Sequence, residues 1–244
     1  EKLTGYYMVS GNKARLLYDT ARAEEKVLRQ AGEDLISIYI GIPFCPTRCL
    51  YCSFTSDPIS KYPHLVDAYL DALKKEISGV REIIEQNRFK IQSIYIGGGT
   101  PTSMDVRELS GLLESVEIAF DLKALEEYTL EAGRPDSIDD DKLKAVKDSK
   151  VTRISINPQT MNDRILLNIG RSHTARDVVR AFNLARDRGF GNINMDIIAG
   201  LPEESKDMFM HTLSEIRKLS PESLTVHTMA VKRASRLKEE IENF

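Results

Sequence analysis

Short runs of β-branched and other apolar residues alternate along this chain with longer stretches of helical periodicity. Six runs predict strands, at 35–42, 91–99, 127–133, 151–159, 191–202 and 222–231. Between them, apolar residues recur every three or four positions, which is typical of helices that pack on one face. Strand and helix in regular alternation predict an α/β fold with a parallel sheet, either an open doubly wound sheet or a barrel.

Boundary signals support several of the helices. Pro63 stands just ahead of an apolar stripe, where proline commonly begins a helix. Thr174 and Asp177 have the spacing of a capping box, and Gly189 is placed to end that helix. A further helical segment is predicted near residues 21–32, with Gly32 as its stop. We therefore assign residues 1–34 to an N-terminal helical extension that precedes the first strand.

Composition narrows the functional classes. The 244 residues are 41% hydrophobic and 29% charged, which is ordinary for one large globular domain. A net charge of −3, with both signs spread along the chain, argues against nucleic-acid binding through bulk electrostatics. No run of 18 apolar residues predicts a membrane span. Three cysteines without a secretory segment favour a reduced, cytoplasmic protein.

The predicted strands end in residues that carry chemistry. In α/β folds, binding sites lie at the carboxyl ends of the strands. These ends hold Cys45-x3-Cys49-x2-Cys52, the glycine-rich stretch 97–102 (GGGTPT), Glu131, the sequence Asn157-Pro158-Gln159, and Asp196 within the fifth strand. We expect the side chains to meet in one site. The glycine-rich stretch lacks the pattern of a phosphate-binding loop, so a nucleoside phosphate is not indicated.

All three cysteines of the chain lie within eight positions. Thiolates are the usual ligands of zinc and of iron–sulfur clusters. Structural zinc normally has four protein ligands, and none of the four histidines has a spacing that pairs it with the cysteines. Three cysteines on one loop suit a [4Fe–4S] cluster that leaves one iron open. Structural zinc or free thiols remain the alternative.

Two carboxylates in apolar surroundings have two interpretations. Glu131 and Asp196 sit in strands that are otherwise predicted to be buried. Because a buried carboxylate is costly unless it is paired, each either has a partner in the core or faces a ligand.

Taken together, these motifs resemble a known family. The cysteine spacing with Tyr51 before the third cysteine resembles the radical S-adenosylmethionine (SAM) superfamily. The stretches YIGIPFC, GGGTPT, NPQT, GRSHT and NMDIIAGLP resemble the oxygen-independent coproporphyrinogen III oxidase family, which includes haem chaperones, and most of all its coproporphyrinogen dehydrogenase HemZ branch. The resemblance covers roughly residues 36–231.

The resemblance implies a partial (βα)6 TIM-like barrel over residues 35–231. It implies a [4Fe–4S] cluster on Cys45, Cys49 and Cys52, with SAM bound to the fourth iron. One electron, from a donor such as flavodoxin or ferredoxin, would then cleave SAM to methionine and a 5′-deoxyadenosyl radical. The positions that match the family's SAM contacts are Tyr39, Tyr51, Gly98, Gly99, Thr100, Glu131, Gln159, Arg171, Asp196 and Ala230. Arg171 either pairs with a carboxylate or is a surface arginine.

The implied reaction is oxidative decarboxylation of coproporphyrinogen III to protoporphyrinogen IX. An anionic tetrapyrrole would need cations near the barrel mouth, for which Arg48, Arg134 and Arg153 are candidates. One departure favours a haem chaperone instead: the family's oxidases carry a further cysteine where this chain has Phe54, after Ser53. Residues 232–244 are expected to begin a C-terminal region that this chain largely lacks.

Overall fold

A sheet of six parallel strands forms the centre of the protein. The computed structural model describes residues 2–29 and 32–240. The strands are β1 (Leu35–Ile42), β4 (Lys90–Gly98), β5 (Glu127–Glu131), β6 (Arg153–Gln159), β7 (Ile193–Ala199) and β8 (Ser223–Thr228). Glu1, residues 30–31 of the predicted N-terminal extension and residues 241–244 of the predicted C-terminal region lie outside the described residues.

Strand order separates a barrel from a doubly wound sheet. The six strands are neighbours in the order β1-β4-β5-β6-β7-β8, and every pair is parallel. In a doubly wound sheet the order of the strands along the sheet reverses at a switch point. Here the order follows the chain throughout, and among the described residues β1 and β8 do not pair with each other. The sheet is therefore an open half-barrel, which confirms the predicted (βα)6 architecture.

Helices between the strands cover the convex side of the sheet. They are α3 (Pro63–Asn87), α4 (Val106–Ala119), α5 (Asp140–Asp148), α7 (Ala175–Asp187) and α8 (Lys206–Leu219). Two N-terminal helices, α1 (Lys2–Gly5) and α2 (Gly11–Leu28), bury no residues, and α6 (Asp163–Asn168) and α9 (Leu237–Glu240) lie near the cysteine loop. On α3, Val66, Leu70, Leu73 and Ile77 face the core at helical spacing. Strand residues such as Ile154, less than 1% exposed, fill the layer between sheet and helices.

The predicted helix boundaries are confirmed where a local signal sets them. Pro63 opens α3, and the Thr174–Asp177 capping box opens α7. Gly189 follows α7 with a positive φ of 79°, as expected of a helix stop. The N-terminal helix differs from the prediction: the side chain of Ser10 caps it, so it begins at Gly11, and it ends at Leu28, ahead of Gly32.

The concave face of the half-barrel is polar. Along β6, polar residues at 153, 155, 157 and 159 alternate with core-facing residues such as Ile154 and Ile156. Asn194 and Asp196 continue the same pattern on β7. Because side chains alternate between the two faces of a strand, the polar set shares the barrel interior. The open end of this interior lies where the strands finish, beside the cysteine loop.

Two short strands close the cysteine loop at its base. The strand β2 (Phe44–Cys45) pairs with β3 (Asp57–Pro58), so that residues 46–56 form a loop with neighbouring ends. The amide of Asp57 also donates to the carbonyl of Pro43 at 2.8 Å. Cys45 therefore lies at the closed base of the loop, and Cys49 and Cys52 lie farther along it.

Candidate active site

A cavity of about 310 Å³ opens at the carboxyl ends of the strands. It gathers residues from the cysteine loop and from the ends of β4 to β8. Its lining includes Cys45, Cys49, Tyr51, Cys52, Gly98, Gly99, Thr100, Glu131, Gln159, Arg171, Asp196 and Ala230. Of the positions matched to the cluster and to SAM, Tyr39 alone does not line it. The expectation that the strand-end side chains meet in one place is therefore met.

The three cysteines are free thiols that face this cavity. Cys45 and Cys49 are buried, and Cys52 is half-buried. Burial raises the pKa of Cys45 to about 11, against a smaller opposing effect of the hydrogen bond with Thr100, whose Oγ1 lies 3.4 Å from the sulfur. A buried thiolate needs a nearby positive charge, and a bound iron would supply it.

Backbone contacts hold the cysteine loop in place. The amide of Leu50 donates to the carbonyl of Ile169 at 3.0 Å, and Thr47 Oγ1 donates to the carbonyl of Gly170 at 2.9 Å. From the other side, the amide of Leu237 donates to the carbonyl of Leu50 at 2.9 Å. The loop thus has fixed neighbours on both flanks, which preorganises its sulfur atoms.

The glycine-rich stretch packs directly against the chain that leads into the cysteine loop. The amide of Gly99 donates to the carbonyl of Ile42 at 2.6 Å, and the amide of Thr100 donates to that of Phe44 at 2.7 Å. Gly98 has a φ of 99°, and a Cβ there would lie 3.1 Å from the carbonyl oxygen of Ile42. Glycine at 98 is therefore required both by the backbone conformation and by the close approach of two strands.

Arg171 is buried without a carboxylate partner. It is 7% exposed, so the surface-arginine interpretation is wrong. Its guanidinium donates to the carbonyls of Asn157 (2.6 Å) and Gly133 (3.3 Å) and to the hydroxyl of Tyr51 (3.3 Å). Within the described residues no ion pair involves it, and its Nε has no hydrogen-bond partner. A buried cation in this state favours an anionic ligand in the cavity.

Gln159 presents a second unsatisfied polar atom. It ends β6 with a positive φ of 67°, where the register with β7 shifts, and it is 6% exposed. Its Oε1 is buried and finds no partner among the described residues. Buried polar atoms are rarely left without a partner, so this amide favours a polar ligand in the cavity.

Two carboxylates complete the polar wall, and an asparagine donates to each. Asn157 Nδ2 donates to Glu131 Oε1 at 2.8 Å, and Asn194 Nδ2 donates to Asp196 Oδ1 at 2.6 Å. Burial, and then the nearby charge of Asp196, raise the pKa of Glu131 to about 7. Both interpretations of the carboxylates therefore hold, because each has a protein partner and each also faces the cavity.

Ser155 joins these two pairs, and sequence reasoning missed it. Its hydroxyl donates to Asn157 Oδ1 at 2.8 Å and accepts from Asn194 Nδ2 at 2.9 Å. Ser223 and Thr225 in turn donate to Asn194 Oδ1. The strict polar–apolar alternation of 153–159 was the available signal, since it is unusual in a strand covered on both faces. The network fixes both amides and so orients both carboxylates.

Tyr39 and Ala230 occupy the edges of the site. Tyr39 is 60% exposed and stacks on Tyr95, with 5.8 Å between ring centroids. Its hydroxyl would lie 3.4 Å from a Cβ at Gly98, so it borders the glycine-rich stretch without lining the cavity. Ala230 lines the cavity two residues beyond the end of β8.

The three arginines considered for substrate carboxylates have other surroundings. Arg153 is the first residue of β6, at the opposite end of the barrel, and pairs there with Glu127 at 3.4 Å, so placing it at the mouth is wrong. Arg134 borders the cavity but is 2% exposed and fully hydrogen-bonded. Arg48 is half-buried and donates to the carbonyl of Ala234 at 3.3 Å.

The donor set fits an iron–sulfur cluster better than zinc. In residues 2–29 and 32–240, no three Cys, His, Asp or Glu side chains are arranged to hold a single metal ion. His173 is buried against Asp136, and His64 and His211 lie on the outer helices α3 and α8. His227 lies at the cavity, within 3.6 Å of Asp196. Three thiols around a cavity with room beside them suit a cluster with one open iron.

Comparison with known proteins decides the family. The model of the radical SAM superfamily matches residues 39–216, well over half of the chain. The chain belongs to the radical SAM superfamily. Members of this superfamily use a [4Fe–4S] cluster and SAM, which are the two cofactors that the family resemblance implied.

Individual relatives place the chain in the coproporphyrinogen III oxidase family, as the sequence motifs predicted. It is 46% identical over 206 residues to the oxygen-independent coproporphyrinogen-III oxidase-like protein HemZ of Bacillus subtilis, covering 84% of this chain and 41% of that protein. It is 36% identical over 196 residues to the haem chaperone HemW of the same organism, covering 80% and 50%.

A solved structure has the same architecture. Coproporphyrinogen III oxidase (HemN) of Escherichia coli, described as a radical SAM enzyme, superimposes with a TM-score of 0.71 at 26% identity. The alignment covers 86% of this chain and 52% of HemN. The chain thus spans about half the length of the relatives it matches. No helix within the described residues is long and apolar enough to span a bilayer.

Proposed function

We propose that this chain is the catalytic core of a radical SAM oxidoreductase that acts on coproporphyrinogen III, converting it to protoporphyrinogen IX without oxygen. The observation that carries the proposal is the cavity itself. It brings together three thiols, the unpaired guanidinium of Arg171 and the unpartnered amide oxygen of Gln159. These groups need both a metal centre and a polar, partly anionic ligand, and SAM has that chemistry.

In this proposal Cys45, Cys49 and Cys52 hold the cluster, and Arg171 binds the carboxylate of SAM. Glu131 and Asp196 accept hydrogen bonds from its ammonium and hydroxyl groups. Gly98, Gly99 and Thr100 approach it through their backbone, as does Ala230, while Gln159, Tyr39 and Tyr51 bound its site. When bound, the cluster and SAM supply one-electron cleavage to a 5′-deoxyadenosyl radical, and the fixed polar wall orients SAM for it.

The substrate assignment rests on the relatives, two of which are named for coproporphyrinogen III oxidation. At each propionate, the 5′-deoxyadenosyl radical would abstract one hydrogen atom, and the substrate radical would pass one electron to an external one-electron acceptor as it loses CO₂ and a vinyl group forms. We also propose the domain limits 35–231 for the radical SAM core, with 1–34 as an extension and 232–244 as the start of a further region. A flavodoxin-like or ferredoxin-like donor and a cytoplasmic location complete the proposal.

A haem chaperone is the second candidate, and one feature favours it. Ser53 and Phe54 line the cavity where the family's oxidases carry an additional cysteine, and Phe54 is 64% exposed. An exposed aromatic ring beside the cavity suits the flat face of a porphyrin. The chain is also 36% identical to the haem chaperone HemW of Bacillus subtilis over the matched segment.

The test is anaerobic reconstitution with iron and sulfide, followed by SAM, dithionite and coproporphyrinogen III. We expect 5′-deoxyadenosine to form and its amount to rise with the porphyrinogen, together with protoporphyrinogen IX. A fully loaded protein that releases no 5′-deoxyadenosine would contradict radical chemistry. Release of 5′-deoxyadenosine without porphyrinogen turnover, with one haem bound per chain, would favour the chaperone. The variant Phe54→Cys, with Phe54→Ser as its control, tests whether the missing cysteine limits turnover.

A further inference from the structure

Behind the cysteine loop, a buried arginine pairs with a partly exposed carboxylate, and the proposed SAM contacts do not include this ion pair. Arg134 is 2% exposed and forms a fork on Asp136, with Nε and Nη2 each 3.2 Å from a carboxylate oxygen. Burying an arginine is costly unless every donor is engaged. The remaining N–H groups show what this arginine engages besides its carboxylate.

The other donors of Arg134 all point at the cysteine loop. Nη1 lies 3.2 Å from the carbonyl oxygen of Thr47 and 3.7 Å from Cys49 Sγ, and Nη2 lies 3.0 Å from Thr47 Oγ1. Five contacts thus match the five N–H groups of a guanidinium. The positive group stands between the loop and Asp136, so its charge is nearer to Cys49 than the compensating negative charge is.

The surroundings keep this pair charged. Burial alone would raise the pKa of Asp136, but its contacts with His173 and Arg134 outweigh burial and hold the pKa below its usual range. His173 is buried beside Asp136, and burial lowers its pKa. The pair therefore presents a fixed dipole with its positive end toward Cys49.

We propose that the positive charge of Arg134 raises the reduction potential of the iron–sulfur cluster, and that the negative charge of Asp136 partly offsets this effect. The inference rests on the proposed role of the cysteines as cluster ligands. One-electron reduction adds one negative charge to the cluster and its thiolates, the electron coming from an external reductant. A guanidinium that donates toward Cys49 Sγ stabilises that added charge, so it raises the potential. Arg134 itself gains neither electron nor proton.

Two single substitutions separate this role from simple mechanical support. Arg134→Gln removes the positive charge but keeps an amide donor near Thr47, and we expect the midpoint potential to fall. Asp136→Asn removes the negative charge and leaves Arg134 held by Thr47, and we expect the potential to rise. If the substitutions acted only by loosening the cysteine loop, the midpoint potential would shift in the same direction in both variants, because both weaken the contacts that hold the loop. Opposite shifts are therefore the signature of charge.

The measurement is a redox titration of the reconstituted protein, followed by the EPR signal of the reduced cluster, with iron and sulfide content checked first. The matched control is Arg186→Gln, which breaks a half-buried pair with Glu222 on the outside of the barrel and should leave the potential unchanged. Equal potentials in all variants, or shifts of one sign, would overturn the inference. Failure of the wild-type chain to take up a cluster would instead overturn the proposed function.

Discussion

Arg134 and Arg171 are two buried arginines beside the same cysteine, yet their surroundings differ. Arg134 has a carboxylate two residues away in the chain, and contacts match all its donors. Arg171 interacts with Cys49 and Tyr51, but within the described residues it forms no ion pair and its Nε has no hydrogen-bond partner. Both arginines are buried near Cys49, so burial and position do not distinguish them. What differs is charge compensation: Arg134 pairs with Asp136 and supports the cysteine loop, whereas Arg171 can bind an anionic ligand.

The largest effect should come from the cysteines, which both arginines flank. Cys49→Ser removes one of three thiolates, and no other cysteine exists in the chain to replace it. We expect iron uptake to fall to background and SAM cleavage to be lost. Iron and sulfide analysis after anaerobic reconstitution checks this. Ser53→Ala, which keeps all three thiols, should load normally; equal loading of Cys49→Ser would exclude Cys49 as a ligand.

The next largest effect is on stability, because substitution of the two arginines should lower the free energy of unfolding by different amounts. Arg134→Met removes the hydrogen bonds of a buried guanidinium to Asp136, whose side chain is 22% exposed, and we expect a loss of about 1.5–3 kcal/mol in the free energy of unfolding. Arg171→Met breaks no ion pair among the described residues, so its cost should be clearly smaller. Urea unfolding of the cluster-free chains, monitored by circular dichroism, gives both values. Equal destabilisation would mean that compensation does not distinguish the two sites.

For SAM affinity, we expect substitution of Arg171 to have the larger effect and substitution of Arg134 the smaller one. Arg171→Met removes a charge-assisted hydrogen bond to the carboxylate of SAM, about 1.5–3 kcal/mol, or roughly 10- to 100-fold in Kd. Equilibrium dialysis of SAM against cluster-loaded protein measures it. Arg171→Lys should recover part of the loss, and iron content should not change. Undiminished SAM affinity in Arg171→Met would remove this residue from the binding site.

The last prediction is a pH dependence of stability that comes from the carboxylate wall. The pKa of Glu131 rises from 4.5 to about 7 on folding, because burial and Asp196 disfavour its charged form. The native state then binds more protons than the unfolded state, so this contribution to stability is complete below about pH 4.5. It is lost as pH rises through about 7, with a slope of at most ~1.4 kcal/mol per pH unit.

Glu131→Gln should flatten this decline when the free energy of unfolding of the cluster-free chain is followed between pH 4.5 and 8. The exposed Glu114→Gln on α4 serves as the control and should keep the wild-type profile. A profile for Glu131→Gln that runs parallel to the wild type would show that Glu131 ionises normally in the folded chain.

Local signals made most of the fold predictable. Each of the six strands was visible as an apolar run, and Pro63 and the Thr174–Asp177 box marked where helices begin. Whether the sheet closes as a barrel could not be read from the pattern, because order in space is set by packing of distant elements. The pairing of β2 with β3, only two residues each, depends on long-range contacts and carries no periodicity of its own.

The residues of the candidate site could be predicted from the sequence, but the contacts that each of them makes could not. Motifs at strand ends indicated the residues that line the cavity. The predicted strand 151–159 already placed Arg153 near the amino end of β6, away from the carboxyl ends where the site lies, so the sequence itself argued against Arg153 at the barrel mouth. The sequence could not show that Asp136 compensates Arg134, or that Ser155 orients both carboxylates through two asparagines. Such contacts follow from side-chain packing in three dimensions.

The central claim is that three cysteines hold a cluster whose fourth iron is open to SAM, with Arg171 unpaired beside it. The Mössbauer spectrum of the ⁵⁷Fe-reconstituted chain, with and without SAM, tests it most directly. We expect four irons per chain, one of which changes its isomer shift and quadrupole splitting when SAM is added. Four irons whose parameters do not change with SAM, or a chain that takes up zinc in place of iron, would contradict this assignment.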